Sequence, residues 1–474
     1  MLSLPLSIST SSFTSKINRK SSICLLSLAS LIAAGCGTAI DTTNPVSANT
    51  GAAFVVGTDA PMASVTSFAV QVQAVDAIEA NGTSVSMLSG SPTVDFARFN
   101  GLQTLLDMND VPAGTYTKVS ITLGPATIGY LNTVAGSAPT IATEAATLTS
   151  STVSYTLPSP LVISQTSPVG LHLDFDLRKS ILVDNNGQIT GQVTPTFDVR
   201  AVGNNDPDAY IDEFDAAVVS VNNTAQSFVV QGPHGRQFTV NITGNTDWDN
   251  SESLGSLTTS SIVQISGALD RSDSTIDADE VAILSQNGFY ADGQVTYVTP
   301  SPGPATSFDL YVRGLLPTTT GLTLGQIAQV NLTGQENFFI YRMHNTLTQF
   351  LFNPSGLLPG QAVAIGGPAT GATNPQAVTS KRVVLRHWGY NGTVVASSVN
   401  PGANTFQIRV NGFSGLLIPQ TVTVYASSST SFRKGMTAFS SVTASTNVRV
   451  VGLLVKDPVS GQTVLLARYV DSLN

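Results

Sequence analysis

The feature that most limits the fold of this chain is a period of two. "FAVQV" places Phe68, Val70 and Val72 on one face, and "KVSITL" does the same with Val119, Ile121 and Leu123. In "LHLDFDL", Leu171, Leu173, Phe175 and Leu177 share one side while His172, Asp174 and Asp176 share the other. Successive side chains of a strand point to opposite faces, so this alternation marks half-buried strands of antiparallel sheets with one face in water. The turn clusters "EANGTS", "PAGTY" and "DNNGQ" punctuate the runs. Helical spacing is weak, and the best short-helix candidate is "LQTLLDMNDV", residues 102–111. The pattern predicts an all-β protein.

Three motifs organise the first part of the body. In "GTDAP" (57–61), Asp59 is suited to accept backbone N–H bonds and Pro61 to stop a strand. In "DVPAGTYTKVSITL" (110–123), Pro112 and Gly114 make a turn from which Tyr116 enters a strand. In "LDFDLRKSILVDNNGQITGQVTPTFDVRAV" (173–202), Asp174, Asp176 and Arg178 read as a surface charge ladder. In this order the motifs resemble the bacterial domain of unknown function 4382 family over residues 53–203. The resemblance implies an envelope-associated antiparallel β-sandwich and carries no assigned activity.

After the linker "NNDPDAY" (204–210) the pattern becomes repetitive. Three imperfect units span 209–285, 288–387 and 389–473. They open on "AVVSV", "GQVTYV" and "GTVVASSV" and close on "TIDADEVAIL", "PQAVTSKRVVL" and "GQTVLLARYV". A period of roughly 75–100 residues is too long for a thin solenoid and suits small OB-like barrels of five or six strands, closed so that no strand edge is exposed. Gly267, Gly366 and Gly452 fall at comparable places, where a glycine fits a bulge or a tight strand exit. The second unit departs most, with an insertion at 315–335. The units resemble the domain of unknown function 5666 family, another bacterial repeat without an assigned activity.

The chain has two cysteines, Cys24 and Cys36, both near its start. Lys16, Arg19 and Lys20 precede "SSICLLSLASLIAAG", an uncharged run shorter than the roughly 20 residues a spanning helix needs. "LIAAGCG" (31–37) resembles the lipobox of bacterial lipoproteins, with Ala33 at the position where that family prefers Leu. The resemblance implies cleavage before Cys36, a signal peptide over 1–35, and lipid attachment at Cys36. Residues 36–52 then form a flexible tether, small and polar. A mature chain with one cysteine has no internal disulfide and no second thiol for catalysis. Gly37 stands where an Asp often retains lipoproteins at the inner membrane, which favours an outer-membrane location.

The formal net charge is −9, and more acidic without the three basic residues of the signal, which argues against nucleic acid as a partner. The four histidines, His172, His234, His344 and His387, are scattered, and no HExxH, GxSxG, GxGxxG or P-loop pattern occurs. Of two acidic stretches, "NTDWDNSES" (245–253, with Asp247, Asp249 and Glu252) lacks the glycine and terminal Glu of an EF-hand and reads as a solvated loop, and "DRSDSTIDADE" (270–280) reads as a hairpin with Asp and Ser turn chemistry. Trp388 in "RHWGYNG" reads as a buried inter-barrel plug, with stacking of Trp388 and Tyr390 on a sugar or partner as the other reading. The sequence thus predicts a non-enzymatic, lipid-anchored envelope protein acting as a modular binding or structural scaffold. No catalytic residue, cofactor or metal site is expected. The partners are the membrane, through the lipid, and an envelope protein or glycan. A carbohydrate- or calcium-binding module and an envelope hydrolase are the alternatives.

Overall fold

The computed structural model describes residues 50–473, apart from 61–64, 100–103, 133–139, 166–168, 185–188, 204–209, 233–236, 249–251, 271–274, 287, 317–320, 341–349, 369–376 and 411–419. The signal segment, Cys36, His234, His344 and Asp249 therefore lie outside the described residues.

The first twelve strands form two sheets. They are β1 (Thr50–Ala60), β2 (Ser67–Glu79), β3 (Ser84–Ser86), β4 (Thr93–Asp95), β5 (Thr104–Pro112), β6 (Gly114–Asn132), β7 (Thr140–Leu148), β8 (Thr152–Ile163), β9 (Val169–Asp176), β10 (Ile181–Val183), β11 (Ile189–Val193) and β12 (Phe197–Val202). One sheet has the order β12-β9-β1-β5, and the other runs β10-β11-β7-β6-β2-β3 with β4 on β2 and β8 on β6. The predicted alternation fills the space between them: Phe68, Val70, Val72, Val119, Ile121, Leu171, Leu173 and Phe175 share one buried cluster. β1 begins at Thr50, ahead of the expected start of the body at 53.

Two expectations fail here for one reason. Residues 104–112 form strand β5, paired antiparallel with β1, rather than a helix. Leu102, Leu105 and Leu106 have the i, i+3, i+4 spacing of a helix, yet Leu105 and Leu106 lie at a register shift in a sheet covered on both sides. Leu105 packs against the barrel that follows, and Leu106 packs inside the sandwich. β1 behaves likewise, with Val55 in the sandwich and Phe54 and Val56 against the barrel. His172, expected to face water, is only 4% exposed for the same reason. The charge ladder over 174–178 is also absent, because the chain turns helical at α1 (Leu177–Ser180). Asp176 Oδ1 accepts the Lys179 N–H at 3.0 Å, which leaves Arg178 off the strand and exposed.

The remaining strands build three units on one plan. The first comprises β13 (Tyr210–Asn222), β14 (Ser227–Gln231), β15 (Gln237–Trp248), β16 (Ile262–Asp270) and β17 (Thr275–Ser285). It closes as β13-β14-β15-β17-β16 with β15 and β17 parallel, an OB-type barrel. The third comprises β25 (Trp388–Val394), β26 (Thr405–Val410), β27 (Gln420–Arg433), β28 (Asn447–Lys456) and β29 (Thr463–Ser472), closed in the same order. The central unit has β18 (Phe289–Thr299), β19 (Ser307–Leu316), β20 (Ile327–Asn331), β21 (Asn337–Ile340), β22 (Ala362–Gly367), β23 (Ala377–Thr379) and β24 (Arg382–Arg386). Its sheet reads β21-β24-β22-β18-β19-β20-β23. Parallel β20–β23 and β21–β24 pairs take the place of the single β15–β17 pair. The central unit is thus the same circuit with its third and fifth strands each broken in two.

The register aligns the three opening strands. Phe214-Asp215-Ala216, Ala291-Asp292-Gly293 and Tyr390-Asn391-Gly392 pair with Ile265-Gln264-Val263, Ile365-Ala364-Val363 and Val450-Arg449-Val448. Gly267 and Gly452 sit at register shifts between the two last-paired strands of their barrels, as bulge glycines do. Gly366 pairs without a shift, and the residue in register with Gly267 and Gly452 is Gly367.

Candidate functional site: a charged junction between modules

The opening strand of the first barrel carries three acids in an apolar run, "YIDEFDAAV". Phe214 and Ala216 point into the barrel core, so alternation puts Asp215 on the outer wall. A register shift between Ile211 and Phe214 inserts a bulge at Asp212 and Glu213. Glu213 takes φ 48°, a left-handed conformation that costs a bulky side chain energy and that clusters at functional sites. Its N–H donates to Ser266 Oγ at 3.1 Å. The bulge turns Asp212, Glu213 and Asp215 all toward the neighbouring modules.

There they meet guanidinium groups. Arg98, on the 3₁₀ turn Phe96–Phe99 of the sandwich, reaches Asp215 Oδ2 at 2.7 Å and Asp292 Oδ1 of the central unit at 2.9 Å. Arg386, the last residue of β24, donates to Glu213 Oε2 at 3.0 Å and to Asp215 Oδ2 at 3.0 Å, with Asp292 Oδ2 at 3.6 Å. Tyr290 Oη donates to Asp215 Oδ2 at 2.6 Å and also contacts Arg386, and Gln264 Nε2 donates to Asp215 Oδ1 at 3.0 Å. His387 Nδ1 lies 3.0 Å from Glu213 Oε1. From the third barrel, Arg468 and Tyr469 reach Asp212 Oδ1 at 2.8 and 3.3 Å. Sandwich, first barrel, central unit and third barrel all contribute.

Water barely reaches the centre: the side chains of Arg386, Glu213 and Asp215 are 6%, 2% and 3% exposed. Burial works against ionisation of Glu213, yet the Arg386 guanidinium and His387 hold its carboxyl down at about 2. Burial raises the Asp215 carboxyl, and Arg386 and Arg98 offset part of that rise. Burial likewise drives the Tyr290 phenol well above its ordinary value, so it serves as a neutral donor. Gly314 makes room for the pairing. A Cβ there would overlap Asp292 Oδ1 and stand 2.9 Å from Arg98 Nη2.

Apolar contacts run beside the charges. Ile262, Ala282 and Leu284 of the first barrel pack with Tyr290, Leu316, Ala364 and Val384 of the central unit. Leu453, Val455, Val464 and Leu466 of the third barrel join the central core. Glu252 is engaged with Arg382 at 2.8 Å and accepts the Ile283 N–H, so this acid of the 245–253 stretch ties the first barrel to the central unit. Trp388 is 7% exposed and lies at the junction under the Arg313 guanidinium, 4.2 Å from the ring centroid. Tyr390 is buried in the third barrel and donates to Gly360 O at 3.2 Å. Among the described residues no group of three or more His, Cys, Asp or Glu is placed to hold a metal ion, and no helix is long and apolar enough to cross a membrane.

Motif-by-motif reading of the sequence missed the junction. Its signal was present in the repeats, where Asp215, Asp292 and Asn391 occupy one register position, and in three acids set within the apolar opening of a strand.

The family described as "Domain of unknown function (DUF4382)" matches residues 50–190, which cover most of the sandwich. No curated protein matches the chain. A solved structure, "drosophila Unr CSD456", is similar at 9% identity over 55% of this chain and 97% of its own, with a TM-score of 0.14, too low to carry an argument.

Proposed function

We propose that this chain is a non-enzymatic, lipid-anchored scaffold of the bacterial cell envelope. In this reading the diacylglyceryl group on Cys36 fixes the protein to the outer membrane, and the body holds four modules in one fixed arrangement facing an envelope partner. The observation that carries the scaffold reading is the buried ion network contributed by four modules. Removing one member of such a network costs roughly 3–5 kcal/mol, because it strands a buried charge, so the network discriminates strongly against other arrangements of the modules. The same pairing argues against acid–base chemistry here. Glu213 is held at about 2 by its partners and cannot act as a general acid near neutral pH.

The anchor is tested by mass spectrometry of the mature N-terminus from a bacterial host. A diacylglyceryl-modified Cys36 as the first residue is expected, with the protein leaving the membrane fraction in Cys36→Ala. An unmodified N-terminus, or cleavage elsewhere, overturns the localisation.

A further inference from the structure

The junction encloses a cavity of about 680 Å³ between sandwich, first barrel and central unit, with Trp388 on its wall. Ligand sites commonly span roughly 300–1,000 Å³ and are mostly apolar with a few placed polar groups. This cavity has that character, with Leu106, Leu315, Leu316 and Leu324 on its walls.

One wall group is not consumed by the ion network. Arg313, on β19, is 7% exposed, and among the described residues no carboxylate forms an ion pair with it. Its Nη1 donates to Ala97 O at 3.3 Å, and its Nε, fully buried, has no hydrogen-bond partner. The guanidinium lies over the Trp388 ring at 4.2 Å and over the Tyr311 ring at 5.5 Å from their centroids. The acids of the wall are otherwise engaged: Glu213, Asp215 and Asp292 with Arg386 and Arg98, and Asp212 with Arg468. Asp95, the remaining one, accepts the Phe68 N–H at 2.8 Å; burial raises its carboxyl and the Arg313 charge offsets part of that rise, without a direct ion pair between them. A buried guanidinium with donor capacity to spare, braced by two aromatic rings beside an apolar chamber, is suited to an acidic group carried on an apolar body.

We propose that the cavity binds a small amphiphilic or aromatic monoanion, whose acidic group is gripped by Arg313 and whose apolar body fills the leucine-lined chamber. Leu324, 53% exposed, stands at the mouth. This site goes beyond the scaffold reading and does not depend on the lipid anchor.

The test uses the full chain carrying Trp248→Phe, which leaves Trp388 as the sole tryptophan and the reporter of energy transfer. Two dyes are titrated: anilinonaphthalene sulfonate, an aromatic monoanion, and N-phenylnaphthylamine, the same body without the acid. The sulfonate should bind saturably at one site, at least about tenfold more tightly than the neutral dye, the scale of one charge-assisted hydrogen bond. Arg313→Met should bring the sulfonate down to the level of the neutral dye, and Arg313→Lys should retain part of the difference. Leu324→Glu, at an exposed position, removes apolar wall from both dyes and adds a repulsive charge for one, so it should weaken the sulfonate more than the neutral dye, which keeps the test decisive if Arg313→Met fails to fold. Equal binding of the two dyes, no saturable binding, or sulfonate affinity unchanged in Leu324→Glu overturns the proposal.

Discussion

At the scale of single residues, the junction turns on Glu213 and Gly314. The Glu213 carboxyl is held at about 2 against an ordinary 4.5. A depressed carboxyl contributes stability that is fully present above its unfolded value and is lost as pH falls from about 4.5 toward 2. At 1.36 kcal/mol per pH unit this amounts to about 3 kcal/mol. Glu213→Gln should therefore be less stable than the parent by about that much at neutral pH, with the gap closing below pH 4.5. Urea unfolding of both proteins at several pH values checks this, and a gap that does not change with pH contradicts it. Gly314→Ala should cost about 1–3 kcal/mol, because the added methyl displaces the Asp292–Arg98 pair. Gly90→Ala, which meets nothing within 4 Å, should stay within about 0.5 kcal/mol of the parent, both variants being measured by urea unfolding.

At the scale of elements, the alternation of apolar residues located the strands because each strand has at least one face on a core. It failed where a sheet is covered twice. Phe54, Val55 and Val56 are buried on opposite faces, and Leu105 and the half-buried Leu106 pack against different cores, so a run of apolar residues loses the period that marks a strand. The cover comes from a barrel distant in sequence, which no local pattern reports. The same holds for the candidate site. Arg98 and Arg386 meet across 288 positions of chain only through the packing of modules, and the bulge that aims Glu213 is a property of the β13–β16 pairing. Two of the three glycines, by contrast, were legible: Gly267 and Gly452 sit at bulges, whereas Gly366 lies one residue off the equivalent position. A Cβ on Gly452 would overlap the Leu466 carbonyl oxygen at the β28–β29 bulge. Gly452→Ala should destabilise the third barrel by about 1–3 kcal/mol. Hydrogen exchange should show that loss first in β28 and β29, and protection there unchanged from the parent contradicts the bulge assignment.

At the scale of the whole molecule, four modules with their own cores are joined by buried ions and by apolar clusters shared across their boundaries. Buried charge pairs contribute little net stability against an apolar substitute, yet they penalise any arrangement in which they part. The modules should consequently open together, although each is large enough to fold as a domain. Hydrogen exchange across a urea series, followed on peptides from the sandwich and each barrel, measures this directly. In the parent protein all four modules should lose protection at one urea concentration, and in Arg386→Gln the sandwich and first barrel should part company from the central and third units. If the parent's modules already unfold at separate concentrations, or if Arg386→Gln leaves their coincidence intact, the junction does not lock the body.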